Sequence, residues 1–214
     1  MRPSLVFTLL FVCFGTVSAQ KLAVLKYGGG GDWYSNPTAL PNLIKFCNAR
    51  ANTAIEGKAH TVTPNSIELF DFPLVHMTGH GNVFFTPAEA ENIRKYLLSG
   101  GFLHIDDNYG MDPYVRKEIV KIFPNKPLQE LPANHPIFSY TFNFPQGLPK
   151  IHEHDKSRPQ AFGITVNGRL LLLYTFESDL GDGWEDPGVH NDPADLRLKA
   201  LQMGANIVTY AFEN

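Results

Sequence analysis

The amino-acid sequence predicts an α/β protein: a doubly wound, mostly parallel sheet with helices on both faces and an antiparallel hairpin near the C-terminus. Three observations predict it. Short apolar runs alternate along the chain with stretches of helical spacing. Two strand-like runs flank Asn167-Gly168, a pair that favours a tight hairpin turn. Apolar runs at 24–27, 74–77, 102–105 and 170–174 lead into the polar clusters 28–33, 78–82, 106–110 and 179–184. In an open α/β sheet, ligands bind in the crevice beyond the strand carboxyl ends. Those four clusters therefore mark one candidate crevice.

Residues 1–19 read as an export leader. Arg2 supplies a basic start, residues 5–17 are almost wholly apolar, and Val17-Ser18-Ala19 is a small-residue cleavage pattern. The expected product, residues 20–214, is exported, periplasmic or secreted, and suits a single domain. No later stretch is long and apolar enough for a transmembrane segment. The formal net charge is −3 and becomes −4 with loss of Arg2; no basic stripe is present, which argues against nucleic acid as a partner. Of the two cysteines only Cys47 survives cleavage, so no intramolecular disulfide is expected.

The elements follow in order. Residues 21–27 read as a strand. Leu40, Leu43, Ile44, Cys47 and Ala51 fall at helical spacing and predict a helix over 40–51, with Cys47 on the apolar face. Short strands are expected at 60–63 and 74–77. Thr86-Pro87-Ala88-Glu89 predicts a capping box, with Ile93, Tyr96 and Leu97 buried on the helix that follows. Gly100-Gly101 ends that helix and feeds a strand at 102–105. Asp112-Pro113 opens a helix that buries Val115, Ile119 and Ile122, and Pro124 and Pro127 stop it. Residues 129–159, rich in Pro, Phe and His, read as a surface excursion with one or two short strands. Residues 162–166 and 169–175 form the hairpin. Residues 193–212 form the last helix, with Leu196, Ala200, Met203, Ile207 and Tyr210 inward.

A Gly79-His80 pair after a strand, a Thr-Pro-x-Glu helix start, and Gly100-Gly101-Phe102-Leu103-x-Ile105-Asp106-Asp107 together resemble the bacterial domain of unknown function 4159 family. Trp33-Tyr34-x-Asn36-Pro37, His135-Pro136-Ile137-Phe138, Gly168-Arg169, Ser178-Asp179-Leu180-Gly181 and Trp184 fit the same resemblance. It implies a branch of the class I glutamine-amidotransferase-like superfamily, with a flavodoxin-like sheet, in proteins of the bacterial envelope. It implies no activity. In active amidotransferases a Cys sits on a strained strand-to-helix turn, with a His and an acid nearby. The comparable turn here is Ile105-Asp106-Asp107-Asn108, which has no Cys, so glutamine hydrolysis is not expected.

Asp106 and Asp107 are the sharpest catalytic candidates. Adjacent strand residues point to opposite faces, but a turn at the strand end would aim both into the crevice. Two nearby carboxylates repel, which raises one pKa and suits it to general acid–base work. Such a pair also holds divalent cations, so a divalent metal is a candidate cofactor. His80 lies between Gly79 and Gly81, which let backbone approach a ligand closely. The glycine run 28–31 reads as a flexible turn that lets Asp32 and Trp33 reach the crevice. Trp33 and Trp184, the only tryptophans, read as stacking faces on its rim. Asn108 and Asp179 complete the ligand-binding set. His152-x-His154 shares one face if extended and is the metal candidate, with His190 or Asp182 as further ligands. Arg169 and Arg197 either clamp a carboxylate or pair with nearby acids.

Three readings follow. The first is an exported ligand-binding domain for a small molecule or a saccharide. The second is a hydrolase using Asp106 or Asp107 with His80, assisted by metal. The third is an envelope assembly protein whose contact surface with a protein partner is the aromatic run 136–144, read as an exposed apolar patch.

Overall fold

Every residue of the two central strands is buried, as continuous apolar runs require when both sheet faces are covered. The computed structural model describes residues 19–214, so the expected leader, Ala19 apart, lies outside the described residues. The strands are β1 (Gln20–Leu25), β2 (Ile55–Val62), β3 (Leu74–Gly79), β4 (Phe102–Asp107), β5 (Gln129–Glu130), β6 (Gln160–Val166) and β7 (Arg169–Phe176). They form one sheet in the order β2-β1-β3-β4-β7-β6-β5. The first five strands in that order run parallel, and β6 and β5 add antiparallel edge strands. The parallel part has the order of a flavodoxin-like sheet. The hairpin turn carries φ of 51° at Asn167 and 81° at Gly168, the left-handed pair its two-residue loop requires.

The helices are α1 (Ala39–Arg50), α2 (Pro87–Leu98), α3 (Asp112–Ile122), α4 (Leu180–Trp184) and α5 (Ala194–Glu213). Strand alternation divides the core in two. Leu22, Phe102 and Leu173 face α1, α4 and α5, where they meet Leu43, Trp184, Met203 and Ile207. Ala23, Leu25, Val75, Met77 and Ile105 face α2 and α3, where they meet Ile93, Leu97, Val115 and Ile119. Cys47 is wholly buried in the first core, and burial pushes its thiol up to about 12. The capping box at Thr86 and Glu89 is formed in both directions. Among the described residues, no helix is long and apolar enough to cross a membrane.

Three sequence expectations change. β2 begins at Ile55, upstream of 60–63, because backbone pairing with β1 rather than side-chain pattern defines this edge strand. The short α4 carries two glycines and gave no periodic signal. The stretch 129–159 is not a free excursion, and its aromatic run is not an exposed patch. Ile137, Phe138, Leu148 and Ile151 enter the first core, while Tyr140, Phe142 and Phe144 pack half-buried against it. Asn206 of α5 holds the segment down. Its Oδ1 accepts from the Thr141 and Phe142 amides, and its Nδ2 donates to the Phe142 carbonyl. One buried amide side chain thus satisfies backbone groups that lack a sheet partner.

Candidate functional site

β1 connects to β2 on one side, and β3 leads to β4 on the other, so the loops leaving β1 and β3 diverge. That is the topological switch point where open α/β sheets bind ligands. The two loops are zipped together. Gly28 bridges Phe84, the Gly31 amide donates to the Asn82 carbonyl at 3.0 Å, and Asn82 Nδ2 donates to the Gly29 carbonyl at 2.9 Å. A Cβ on Gly31 would lie 2.6 Å from the Asn82 carbonyl oxygen, so the glycine run serves close loop packing rather than flexibility. Gly79 acts likewise. Its φ is 140°, and its Cβ would meet the Tyr27 hydroxyl at 2.3 Å and Asp32 at 3.0 Å. Protein atoms, not a ligand, occupy the space Gly79 leaves free.

Asp32 grips His80 through both oxygens. Oδ1 accepts from the His80 amide at 2.5 Å, and Oδ2 meets ring Nδ1 at 2.9 Å. Burial pushes the Asp32 carboxyl up, but the His80 amide and ring together hold it below the usual carboxylate range. The His80 side chain is 53% exposed and the Asp32 side chain 34%. With Nδ1 engaged, Nε2 is the nitrogen of this half-exposed ring left to act as base or hydrogen-bonding group. Trp33 is half-buried in an edge-on contact with Tyr34 and lines a 420 Å³ cleft with Asn36, Leu40 and His60.

Asp106 and Asp107 both lie within β4, and strand alternation sends them to opposite faces. Asp107 faces α3. It accepts from the Met111 and Asp112 amides at 2.9 and 3.1 Å and from the Tyr174 hydroxyl at 3.1 Å, which makes it the cap of that helix. Its placement corrects the expectation of two carboxylates sharing the crevice. Asp106 faces the other way, wholly buried, and accepts from Thr175 Oγ1 at 2.5 Å and the Gly181 amide at 2.7 Å. Burial raises its carboxyl to about 7 against the pull of these two hydrogen bonds. A polar chain runs back from it: Thr175 meets His104 Nε2 at 3.1 Å, and His104 Nδ1 meets His76 Nδ1 at 3.1 Å. The hydroxyl donates to Asp106, so His104 donates to the hydroxyl and His76 donates to His104 (tautomers assigned from the network). His76 Nε2 is left without a partner. Burial holds both imidazoles neutral, His76 down to about 3 and His104 well below its ordinary value.

Beyond β7 the polar residues converge. His154 Nε2 lies 2.8 Å from Asp179 Oδ2, His152 Nδ1 lies 3.1 Å from Asp182 Oδ2, and His190 Nε2 lies 3.6 Å from Asp182 Oδ1. His152, His154 and Asp179 offer donor atoms all within 4.8 Å of one another, and so do His152, Asp182 and His190. Asp179 is 1% exposed, and neither of its oxygens receives a well-directed hydrogen bond. Burial, then the charges of Asp106 and Asp182, push its carboxyl up to about 9. Asn36, at φ 58°, ties this cluster to the strand ends. Its Nδ2 donates to Asp182 at 2.8 Å, and its Oδ1 accepts from Asn108 Nδ2 at 3.0 Å. Asn108 is buried and accepts from Thr78, so it braces the site rather than facing a ligand. Tyr109, exposed and at φ 81°, stacks on His154 with ring centroids 4.4 Å apart.

A family model described as a domain of unknown function, DUF4159, matches residues 21–212. The chain belongs to this family. No curated protein matches it. The short motifs that carry the family resemblance meet around the site: Asn36 bridges Asn108 and Asp182, and Asp106 holds Gly181.

Other expected site residues lie elsewhere. Trp184 is buried in the first core, and its Nε1–H donates to the Ala200 carbonyl at 2.8 Å, so it anchors the site from beneath and is not a stacking face. Arg169, at the start of β7, donates to the Leu97 and Gly101 carbonyls at the opposite edge of the sheet. Arg197 donates to the Glu185 carbonyl. Neither pairs with a carboxylate among the described residues. Sequence reasoning missed the His76–His104 pair, although a histidine inside each of two apolar strand runs was a usable signal. It also missed Tyr109 and the bridging role of Asn36, for which only spatial proximity gives a signal.

Proposed function

We propose that this protein is an exported ligand-binding domain that takes a small polar or saccharide ligand at the carboxyl ends of β1 and β3. One observation carries the reading. The switch point of the sheet holds a half-exposed imidazole gripped by a carboxylate through its amide and Nδ1, which leaves Nε2 as the ring nitrogen for a ligand. At this exposure the pair adds little to stability. The test is thermal unfolding across saccharide, nucleotide and amino-acid panels. A ligand at about one hundred times its Kd stabilises the folded state by about 2.7 kcal/mol. The expected result is a shift for one chemical class that is lost in His80→Ala. A shift that persists unchanged in His80→Ala refutes the placement.

The same dyad favours a second reading, hydrolysis with His80 as general base oriented by Asp32. Asp107 takes no part in it, because capping α3 occupies that carboxylate. Turnover on an ester, glycoside or amide panel, abolished in His80→Ala, would support this reading over simple binding.

A further inference from the structure

We propose that His152, His154 and Asp179 bind one divalent transition-metal cation of the zinc class, a site apart from the His80–Asp32 crevice. The donor set suits that chemistry: two imidazoles and a carboxylate are borderline ligands that zinc accepts in a tetrahedral shell. A tetrahedral site with ligand bonds near 2.1 Å places ligand atoms about 3.4 Å apart. The donor atoms here already lie within 4.8 Å of one another, so a modest adjustment brings the three ligands onto one cation.

A second observation points to a ligand. Asp179 is 1% exposed, it sits at φ 57°, and neither of its oxygens receives a well-directed hydrogen bond, although His154 Nε2 lies 2.8 Å from Oδ2. Buried carboxylates are ordinarily hydrogen-bonded, paired or bound to metal. Lys150, whose charge reaches Asp179, is itself spent on Glu177 at 2.8 Å. His154 Nε2, 2.8 Å from Asp179, is the group a cation would join to that carboxylate.

The surroundings complete the pattern. His152 Nδ1 is engaged by Asp182, which leaves Nε2 as the donor for a cation. Asp182 is itself held by Asn36. A carboxylate behind a ligating histidine fixes ring orientation and raises its basicity, a frequent arrangement at protein metal sites. Tyr109 stacks on the His154 ring and restrains it. Three protein ligands leave a fourth position for water or an incoming ligand, the pattern of an open zinc site.

The test is zinc alone, titrated into the full-length protein after treatment with chelator, with bound metal counted after dialysis. Cobalt substitution reports coordination geometry through its visible absorption. The expected result is one equivalent of zinc per chain and a tetrahedral cobalt spectrum. His154→Ala and Asp179→Asn should each weaken zinc binding by at least one hundredfold, and Asp182→Asn by ten- to one-hundredfold. His60→Ala, a histidine on β2 paired with Glu56, controls for incidental binding and should change nothing. Failure of folded wild-type protein to retain zinc overturns the proposal, as does full retention in His154→Ala. His154 is partly exposed, so that variant decides the matter even if Asp179→Asn fails to fold. No organic ligand enters this experiment, so its failure is separate from failure of the crevice reading.

Discussion

The two polar regions at the strand ends solve the problem of charge in opposite ways. Between β1 and β3, Asp32 and His80 satisfy each other in partial contact with water. Beyond β7, Asp179 and Asp182 lie buried beside Asp106, and Asp179 receives no well-directed hydrogen bond. The first arrangement costs the fold little. The second crowds three buried carboxyls together, which pushes Asp106 and Asp179 toward their neutral forms unless a cation enters to hold the charge. Exposure therefore separates a site that needs only an incoming ligand from one whose own protein groups are incomplete.

Removing the support beneath the buried region gives the largest expected effect. Trp184 is 1% exposed, packs on His76 and His104, and donates to Ala200. Trp184→Ala should cost about 3–5 kcal/mol, read as a large drop in Tm. A loss under about 1 kcal/mol would mean that α4 is not docked as described. Thr175→Val keeps the shape but removes the hydroxyl shared by Asp106, His104 and the Ile105 carbonyl. Three buried polar groups lose a partner, and the expected cost is about 2–3 kcal/mol in chemical denaturation.

Acid should weaken the buried region through His76. Its imidazole stays neutral in the folded protein down to about 3, whereas the unfolded chain protonates it near 6.5. Between those values the unfolded state binds the extra proton, so this contribution to stability falls as pH falls. From pH 7 to pH 5 the loss is about 2 kcal/mol. Asp106 and Asp179, raised in the folded protein, act with the opposite sign and stay in place in His76→Leu, so the variant's stability should rise relative to the wild type by about that amount over the same interval. Parallel pH profiles for the two proteins would refute this account of His76.

Most of the fold was legible in the sequence because it rests on local rules. Thr86-Pro87-Ala88-Glu89 formed its capping box, Asn167-Gly168 made its turn, and the apolar runs became buried parallel strands. The aromatic run 136–144 misled because burial depends on what packs over a segment. Asn206, more than sixty positions away, decides it. The candidate site was half legible. Strand alternation alone was enough to separate Asp106 from Asp107, and the expected turn argued against it where the strand in fact continued. His152 and His154 were visible as a pair, and Asp182 and His190 as companions. The bridge through Asn36 joins residues 146 positions apart, a separation at which sequence carries no local signal.

The smallest expected effect sharpens the comparison from the exposed side. Asp32→Ala removes both oxygens that hold His80, yet the amide and ring it releases turn to water. The expected change in stability is therefore no more than about 1 kcal/mol. Freed of its carboxylate, the ring loses both orientation and a fixed tautomer. Binding of any ligand found at the switch point should then weaken about tenfold or more while the Tm hardly moves. The contrast with Thr175→Val is the critical measurement. There a single hydroxyl is expected to cost more stability than a whole carboxylate does at Asp32. If Asp32→Ala proves the more destabilising of the two, the dyad is a structural clamp between the loops, and the β1–β3 crevice loses its claim as a binding site.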